Sequence, residues 1–107
     1  MTTHETRLQR RIRQDFSESD SVQEILRMLA DLSRQTGDDV LDTERVHAAI
    51  VLVAQGDITR FREALVMSKQ DWRDVLVAAG LANEDWRTRL DQELGPVNPN
   101  SPTHYNT

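Results

Sequence analysis

One pair of residues has the spacing of a metal site. Glu44 and His47 form a Glu-x-x-His pattern, which places both side chains on one face of a helix. In di-iron carboxylate proteins a second copy of this pattern and two further glutamates complete the ligand set. The other histidines, His4 and His104, lie at the two ends of the chain. We therefore predict no bound metal or other cofactor, and we expect His47 to be a partly buried, hydrogen-bonded side chain.

Covalent or acid–base catalysis is disfavoured by the rest of the composition. The chain has no cysteine, and only one histidine falls inside the predicted helices. Serines and adjacent carboxylates such as Asp38 and Asp39 fall at predicted helix ends, where capping explains them. The four glycines stand singly, so the chain has no glycine-rich phosphate loop. The sequence predicts a protein that is not an enzyme.

The N-terminal segment is basic, although the chain as a whole is acidic. Four arginines against Glu5 give the first thirteen residues a charge of +3, while nine Lys/Arg against seventeen Asp/Glu give the remainder −8. Such a helix would suit nucleic acid, an anionic membrane surface or an acidic partner. However, it offers few phosphate contacts and no interleaved aromatic, so we expect a solvated cationic face. The basic-face candidates are Arg7, Arg10, Arg11 and Arg13.

Residues 75–90 provide a second nucleic-acid alternative, because a glycine-centred turn there joins two predicted helices as in a helix-turn-helix. The second helix would open with Glu84 and Asp85, whose negative charges oppose binding to phosphates. Nucleic-acid binding therefore remains an alternative and not the leading prediction.

Several apolar residues lie off the main hydrophobic stripes of the predicted helices. A small monomer can bury one face of each helix, so additional apolar side chains indicate a second ring of contacts or a binding patch. These partner-binding candidates are Val51, Val66, Met67 and Val77. They favour a role in protein–protein interaction, with another protein or with a second copy of the chain as partner.

The tripeptide Asp-Trp-Arg occurs twice, at 71–73 and at 85–87, and contains both tryptophans of the chain. Each copy falls in the first turn of a predicted helix, where an acidic residue interacts favourably with the helix dipole. Each tryptophan continues into an apolar row three or four residues later. We therefore interpret the repeat as two helix starts with buried anchors. The alternative is a recognition face on which both indoles are exposed.

Helix start and stop signals divide the chain into five or six short helices between about residues 4 and 95. Period-two strand patterns are lacking, so the predicted fold is an all-α, compact orthogonal bundle. The predicted starts are Thr-Thr-His-Glu at 2–5, Ser-Val-Gln-Glu at 21–24, Asp42 or Thr43, Asp57, Ser-Lys-Gln-Asp at 68–71, and Asn83. The predicted core residues are Trp72, Trp86, Phe61, Ile50, Val53, Leu65 and Leu76.

The composition also predicts the domain boundary and the location. Residues 1–95 read as a single helical domain, and residues 96–107, which contain all three prolines, read as a disordered tail. The longest apolar run, Ala-Ala-Ile-Val-Leu-Val-Ala at 48–54, is far too short to span a membrane. The N-terminus has no apolar core of the length that a signal peptide requires. We therefore expect a cytoplasmic protein.

Residues 44–86 resemble a group of small bacterial helical proteins without an established activity. The resemblance is carried by Glu-Arg-Val at 44–46, the apolar helix that follows, the Gly-Asp corner at 56–57 and Asp-Trp-Arg-Asp at 71–74. Arg-Ile-Arg-Gln-Asp-Phe at 11–16 is similar to the N-terminal segment of those proteins. The resemblance implies a bacterial source and a self-contained helical domain, and it assigns no functional residue.

The leading prediction is thus a non-catalytic protein–protein interaction module or homo-oligomer. The alternatives are a nucleic-acid-binding regulator that uses the basic helix or residues 75–90, and a metal-binding protein that uses Glu44 and His47.

Overall fold

Six α-helices make up most of the described chain, which in this computed structural model comprises residues 6–37, 41 and 43–95. These residues contain no strand and pack with a radius of gyration of 12.9 Å, so the predicted all-α bundle is confirmed. The tail predicted at 96–107 lies outside the described residues. The helices are α1 (Arg7–Asp15), α2 (Ser19–Thr36), α3 (Glu44–Ala54), α4 (Ile58–Gln70), α5 (Trp72–Ala79) and α6 (Trp86–Leu94).

The centre of the bundle is α3, which packs most extensively on α4 and α5. Its sequence is apolar on nearly every side, as expected of a helix surrounded by others, and eight of its eleven residues are buried. Thr43, one of the two residues predicted to start this helix, is its N-cap. Its side chain accepts a hydrogen bond from the backbone N–H of Val46. The remaining helices cover this trio, with α2 against α4 and α1 against α2, α3 and α6.

The corner between α3 and α4 follows the prediction from the Gly-Asp pair. Gln55 and Gly56 both adopt left-handed backbone conformations, with φ of 50° and 80°, and end α3. The Asp57 carboxylate then accepts hydrogen bonds from the backbone N–H groups of Thr59 and Arg60, which begins α4. Gly56 is required for a second reason, because a Cβ at this position would lie 2.8 Å from the backbone oxygen of Asp15.

Three other predicted helix starts are wrong by a few residues. Helix α2 begins at Ser19, so Ser21 lies inside it. Ser68 lies inside α4, where its hydroxyl donates to the carbonyl of Leu65, and Asp71 both ends α4 and caps α5. Helix α6 begins after Asp85 and not after Asn83. In each case several residues able to cap a helix lie close together in sequence, so local signals place the helix start only to within a few residues.

The first helix start also differs from the prediction. Thr6 and Gln9 form a capping box in which each side chain bonds the backbone N–H of the other residue. The box predicted at 2–5 lies outside the described residues.

The hydrophobic core contains residues from all six helices, and four of the seven predicted core residues are fully part of it. The four buried residues are Phe61, Ile50, Leu65 and Leu76. Val53, Trp72 and Trp86 are only partly buried and pack at the margin of the core. The two tryptophans occupy the first position of a helix, where the chain enters from the surface and the broad indole cannot be enclosed on all sides.

Replacing Gly56 by Ala should destabilise the fold more than replacing Gly37 by Ala. Both glycines have positive φ, so each substitution introduces backbone strain of about 1 kcal/mol. A Cβ at Gly37 meets nothing within 4 Å, whereas one at Gly56 also meets the Asp15 carbonyl. We expect the free energy of unfolding in urea to fall by at least about 1 kcal/mol more for Gly56→Ala. Equal losses would show that the close approach of α1 to this corner is not a constraint.

Candidate functional site

The predicted basic face of α1 lies against the C-terminal end of α6. The last carbonyl groups of any helix have no partner within it, and cations there also interact favourably with the helix dipole. Helix α6 has no basic residue in its own last turn. Three arginines of α1 supply the missing donors: Arg7 Nη1 to Gly95 O at 3.0 Å, Arg10 Nη2 to Leu94 O at 2.9 Å, and Arg11 Nη1 to Glu93 O at 2.5 Å.

Arg7 is the most buried of these arginines, with 8% of its surface exposed. Its guanidinium donates from Nη2 to Glu44 Oε1 at 2.7 Å and from Nε to Oε2 at 3.1 Å, and it also pairs with Asp91. The hydrogen bond to Glu44, supported by Asp91 and opposed by burial, raises the pKa of Arg7. The Arg7 guanidinium therefore stays fully ionised, and its hydrogen bonds link α1 to α3 and α6.

This network changes the interpretation of the candidate metal pair. Both carboxylate oxygens of Glu44 accept hydrogen bonds from Arg7 and are therefore engaged in an ion pair. His47 is 2% exposed, more deeply buried than predicted. Among the residues that the structure describes, no three His, Asp or Glu side chains are grouped closely enough to hold a metal ion.

The two segments that were candidates for nucleic-acid binding, the basic face of α1 and residues 75–90, also have different surroundings from those expected. Arg7, Arg10 and Arg11 bond to α6, and of the four basic-face residues Arg10 and Arg13 are the exposed ones. In residues 75–90, Gly80 forms the predicted turn with φ of 76°, but α6 packs chiefly on α1. The expected second helix therefore does not rest on the first in the manner of a helix-turn-helix.

The four partner-binding candidates separate into two groups. Val51 is completely buried, so it cannot contact a partner in this fold. Met67 is partly buried against the core. Val66 and Val77 remain on the surface with 52% and 68% of their area exposed. They lie on the outer sides of α4 and α5, respectively.

A cluster that the sequence did not predict surrounds Trp86. The guanidinium carbon of Arg45 lies 4.5 Å from the centroid of the indole, and that of Arg87 lies 4.4 Å from it. Arg45 also donates from Nε and Nη2 to the backbone oxygen of Leu81, at 3.0 and 2.8 Å. These bonds fix Arg45 in place. We call Trp86, Arg45 and Arg87 the Trp86 surface.

Trp72, in the other Asp-Trp-Arg, has a different electrostatic environment. The Arg73 guanidinium carbon is 5.8 Å from the centroid of its ring, and Arg73 Nε donates to Asp71 at 3.1 Å. The side-chain and backbone hydrogen bonds from Arg73 lower the pKa of Asp71. The cation beside Trp72 is therefore neutralised by the N-cap of its own helix, and the two copies of the tripeptide are not equivalent.

At Trp86 the two positive charges have no such compensation. No carboxylate of the described residues lies within 4.0 Å of Arg45 or Arg87. Burial, followed by the charge of Arg87, lowers the pKa of Arg45. Sequence patterns carry little signal of this cluster, because Arg45 and Trp86 are far apart in the chain and meet only when the start of α6 packs near the start of α3.

A polar cleft of about 480 Å³ lies where α1, α3 and α5 end beside α6. Its arginines face carboxylates, with Arg11 Nε 3.1 Å from Asp15 and Arg89 Nη2 4.0 Å from Glu93. Arg11 also compensates the carbonyl end of α6. The charges of the cleft therefore neutralise one another, and its form follows from the packing of helix ends.

Comparisons with protein-family models, with curated proteins and with solved structures found no match to this chain. The resemblance to small bacterial helical proteins therefore stays a prediction. None of the described helices combines the length and the apolar character needed to cross a membrane.

Removing the charge of Arg7 should destabilise the fold strongly, because Glu44 would be left buried without a partner. We expect Arg7→Met to lower the free energy of unfolding by about 3 kcal/mol, and Arg7→Met with Glu44→Leu to recover much of this loss. The control is Arg34→Met, which removes a 79%-exposed partner of Asp31 and should change stability by less than about 0.5 kcal/mol. Chemical denaturation measures all three. A double variant no more stable than Arg7→Met would contradict the ion-pair explanation.

Proposed function

We propose that this protein is a non-catalytic module that binds another protein through the Trp86 surface. The observation that carries the proposal is the position of Trp86, partly exposed at the start of α6 and contacted by the guanidinium groups of Arg45 and Arg87. Tryptophan and arginine are the residue types most enriched among the side chains that dominate binding energy at protein interfaces. The proposal includes the cytoplasmic location expected from the sequence.

The rigidity of the surface supports the same function. Arg45 is held by two bonds to the Leu81 carbonyl, and Trp86 packs against the core on its inner side. Side chains that are already ordered lose less conformational entropy when a partner binds. A partner would therefore meet a surface whose main anchors are in place.

The other candidate functions have weaker support. Val66 and Val77 would contribute to self-association, but each is the single large exposed apolar residue of its helix among the described residues, and single residues of this kind are common on monomers. The basic helix bonds to α6 through three of its four arginines. Glu44, the carboxylate of the candidate metal pair, is engaged by Arg7.

Site-directed photo-crosslinking would test this function. A benzoylphenylalanine at Thr88, which is exposed beside Trp86 on α6, should capture a protein in the cells of origin. The matched control places the same group at Glu63, an exposed residue of α4. We expect the yield of crosslinked adduct at position 88 to exceed the yield at position 63 by about tenfold. Adding Arg87→Glu should lower the yield at position 88 by about tenfold.

Two results would contradict the proposed function. The first is an equal yield of crosslinked protein at positions 88 and 63. The second is a yield at position 88 that does not change when Arg87→Glu is added. An adduct of twice the mass of the chain would identify a second copy as the partner.

A further inference from the structure

We infer that the Trp86 surface binds an acidic segment of its partner, with carboxylates that bond to Arg45 and Arg87. This inference rests on the proposed function and adds the chemical class of the bound segment. It follows from three features of the surface: its uncompensated charge, its remaining hydrogen-bond donors and its acidic surroundings.

The Trp86 surface carries two adjacent positive charges in a chain whose formal net charge is −5. Six of the described arginines have a carboxylate within 4.0 Å, whether they are buried or exposed. These are Arg7, Arg11, Arg34, Arg62, Arg73 and Arg89. Arg45 and Arg87 instead lie beside the same indole and repel each other. An anion from outside would remove that repulsion and gain two attractive interactions.

Enough donors remain to bind carboxylates. Arg45 uses Nε and Nη2 for the Leu81 carbonyl, so its Nη1 group is available. Within the described chain, the guanidinium of Arg87 makes no hydrogen bond. A guanidinium can donate two parallel N–H hydrogen bonds to one carboxylate. Such charge-assisted hydrogen bonds are stronger than hydrogen bonds between neutral groups.

The separation of the two cations suits an extended peptide. Both guanidinium carbons lie within 4.5 Å of one ring centroid, so their separation cannot exceed the sum of the two distances. Acidic residues at alternate positions of an extended chain are about 7 Å apart and point to the same side. A Glu-x-Glu segment could therefore engage both arginines.

The acidic residues nearby favour a peptide over nucleic acid. Glu84 and Asp85 are exposed immediately before Trp86. A peptide can place neutral residues beside them and its carboxylates on the arginines. Nucleic acid carries a charge at every phosphate and would be repelled, and two cations release too few counterions to compensate.

The two tryptophans allow a direct test by nuclear magnetic resonance. The ¹⁵N-labelled full chain is titrated with a capped peptide of about ten alternating Glu and Gly residues. We expect the indole N–H signal of Trp86 to shift in a saturable manner while that of Trp72 stays constant, because Asp71 already neutralises the cation beside Trp72. The same peptide with Gln in place of Glu should shift neither signal.

Variants then separate the named residues from general electrostatics. Arg87→Gln should weaken the affinity for the Glu-Gly peptide about fivefold or more, and the double variant with Arg45→Gln should weaken it further. Arg73→Gln is the matched control and should change it less than about twofold. Because Arg45 also bonds Leu81, the exposed Arg87 provides the decisive variant if Arg45→Gln impairs folding.

The inference would be overturned if the indole N–H signal of Trp86 did not shift, or if the signals of Trp86 and Trp72 shifted equally. It would also be overturned if Arg73→Gln and Arg87→Gln changed the affinity for the Glu-Gly peptide equally. A third contradicting result is tighter binding of single-stranded oligothymidylate than of the Glu-Gly peptide. A silent Glu-Gly titration together with position-specific crosslinking at Thr88 would reject the acidic segment and leave the proposed function standing. Absence of both signals would reject the two together.

Discussion

The carbonyl groups at the end of α6 need hydrogen-bond donors that α6 does not contain, and this requirement determines how the bundle closes. Arginines at three positions of α1 provide the donors, so the first and last described helices lie together. Arg7 extends the connection to α3 by its ion pair with Glu44. Without these bonds, α6 would keep only limited packing on the central trio, because its principal neighbour is α1. A basic segment that resembles a nucleic-acid-binding helix thus completes the fold.

The same closure produces the Trp86 surface. Glu44 and Arg45 are consecutive residues in the first turn of α3, so their side chains point to different sides of the helix. Arg7 engages both oxygens of Glu44, so the charge of Arg45 is not neutralised from that side. Arg45 instead extends to the start of α6, where it bonds Leu81 and contacts Trp86. A buried ion pair that stabilises the fold therefore leaves an adjacent cation available for binding.

Local sequence signals predicted the elements well and their tertiary roles poorly. The apolar run of α3 and the Gly-Asp corner were sufficient to place a central helix and its sharp end. The starts of α2, α5 and α6 were displaced because capping residues are interchangeable over short distances, and only packing decides between them. The role of the α1 arginines was not predicted, because backbone carbonyls leave no mark in a sequence pattern. The Trp86 surface was missed because its residues come from different helices and meet only after closure.

Native-state hydrogen exchange of the unmodified protein at low denaturant concentrations tests the central claim most directly. If α1 arginines hold α6 in place, amides of α1 and α6 should exchange through one shared opening, with a common free energy below that of the α3 amides. Exchange of α6 through a separate opening while α1 stays protected would contradict this account, because α6 would then be held by contacts other than those from α1.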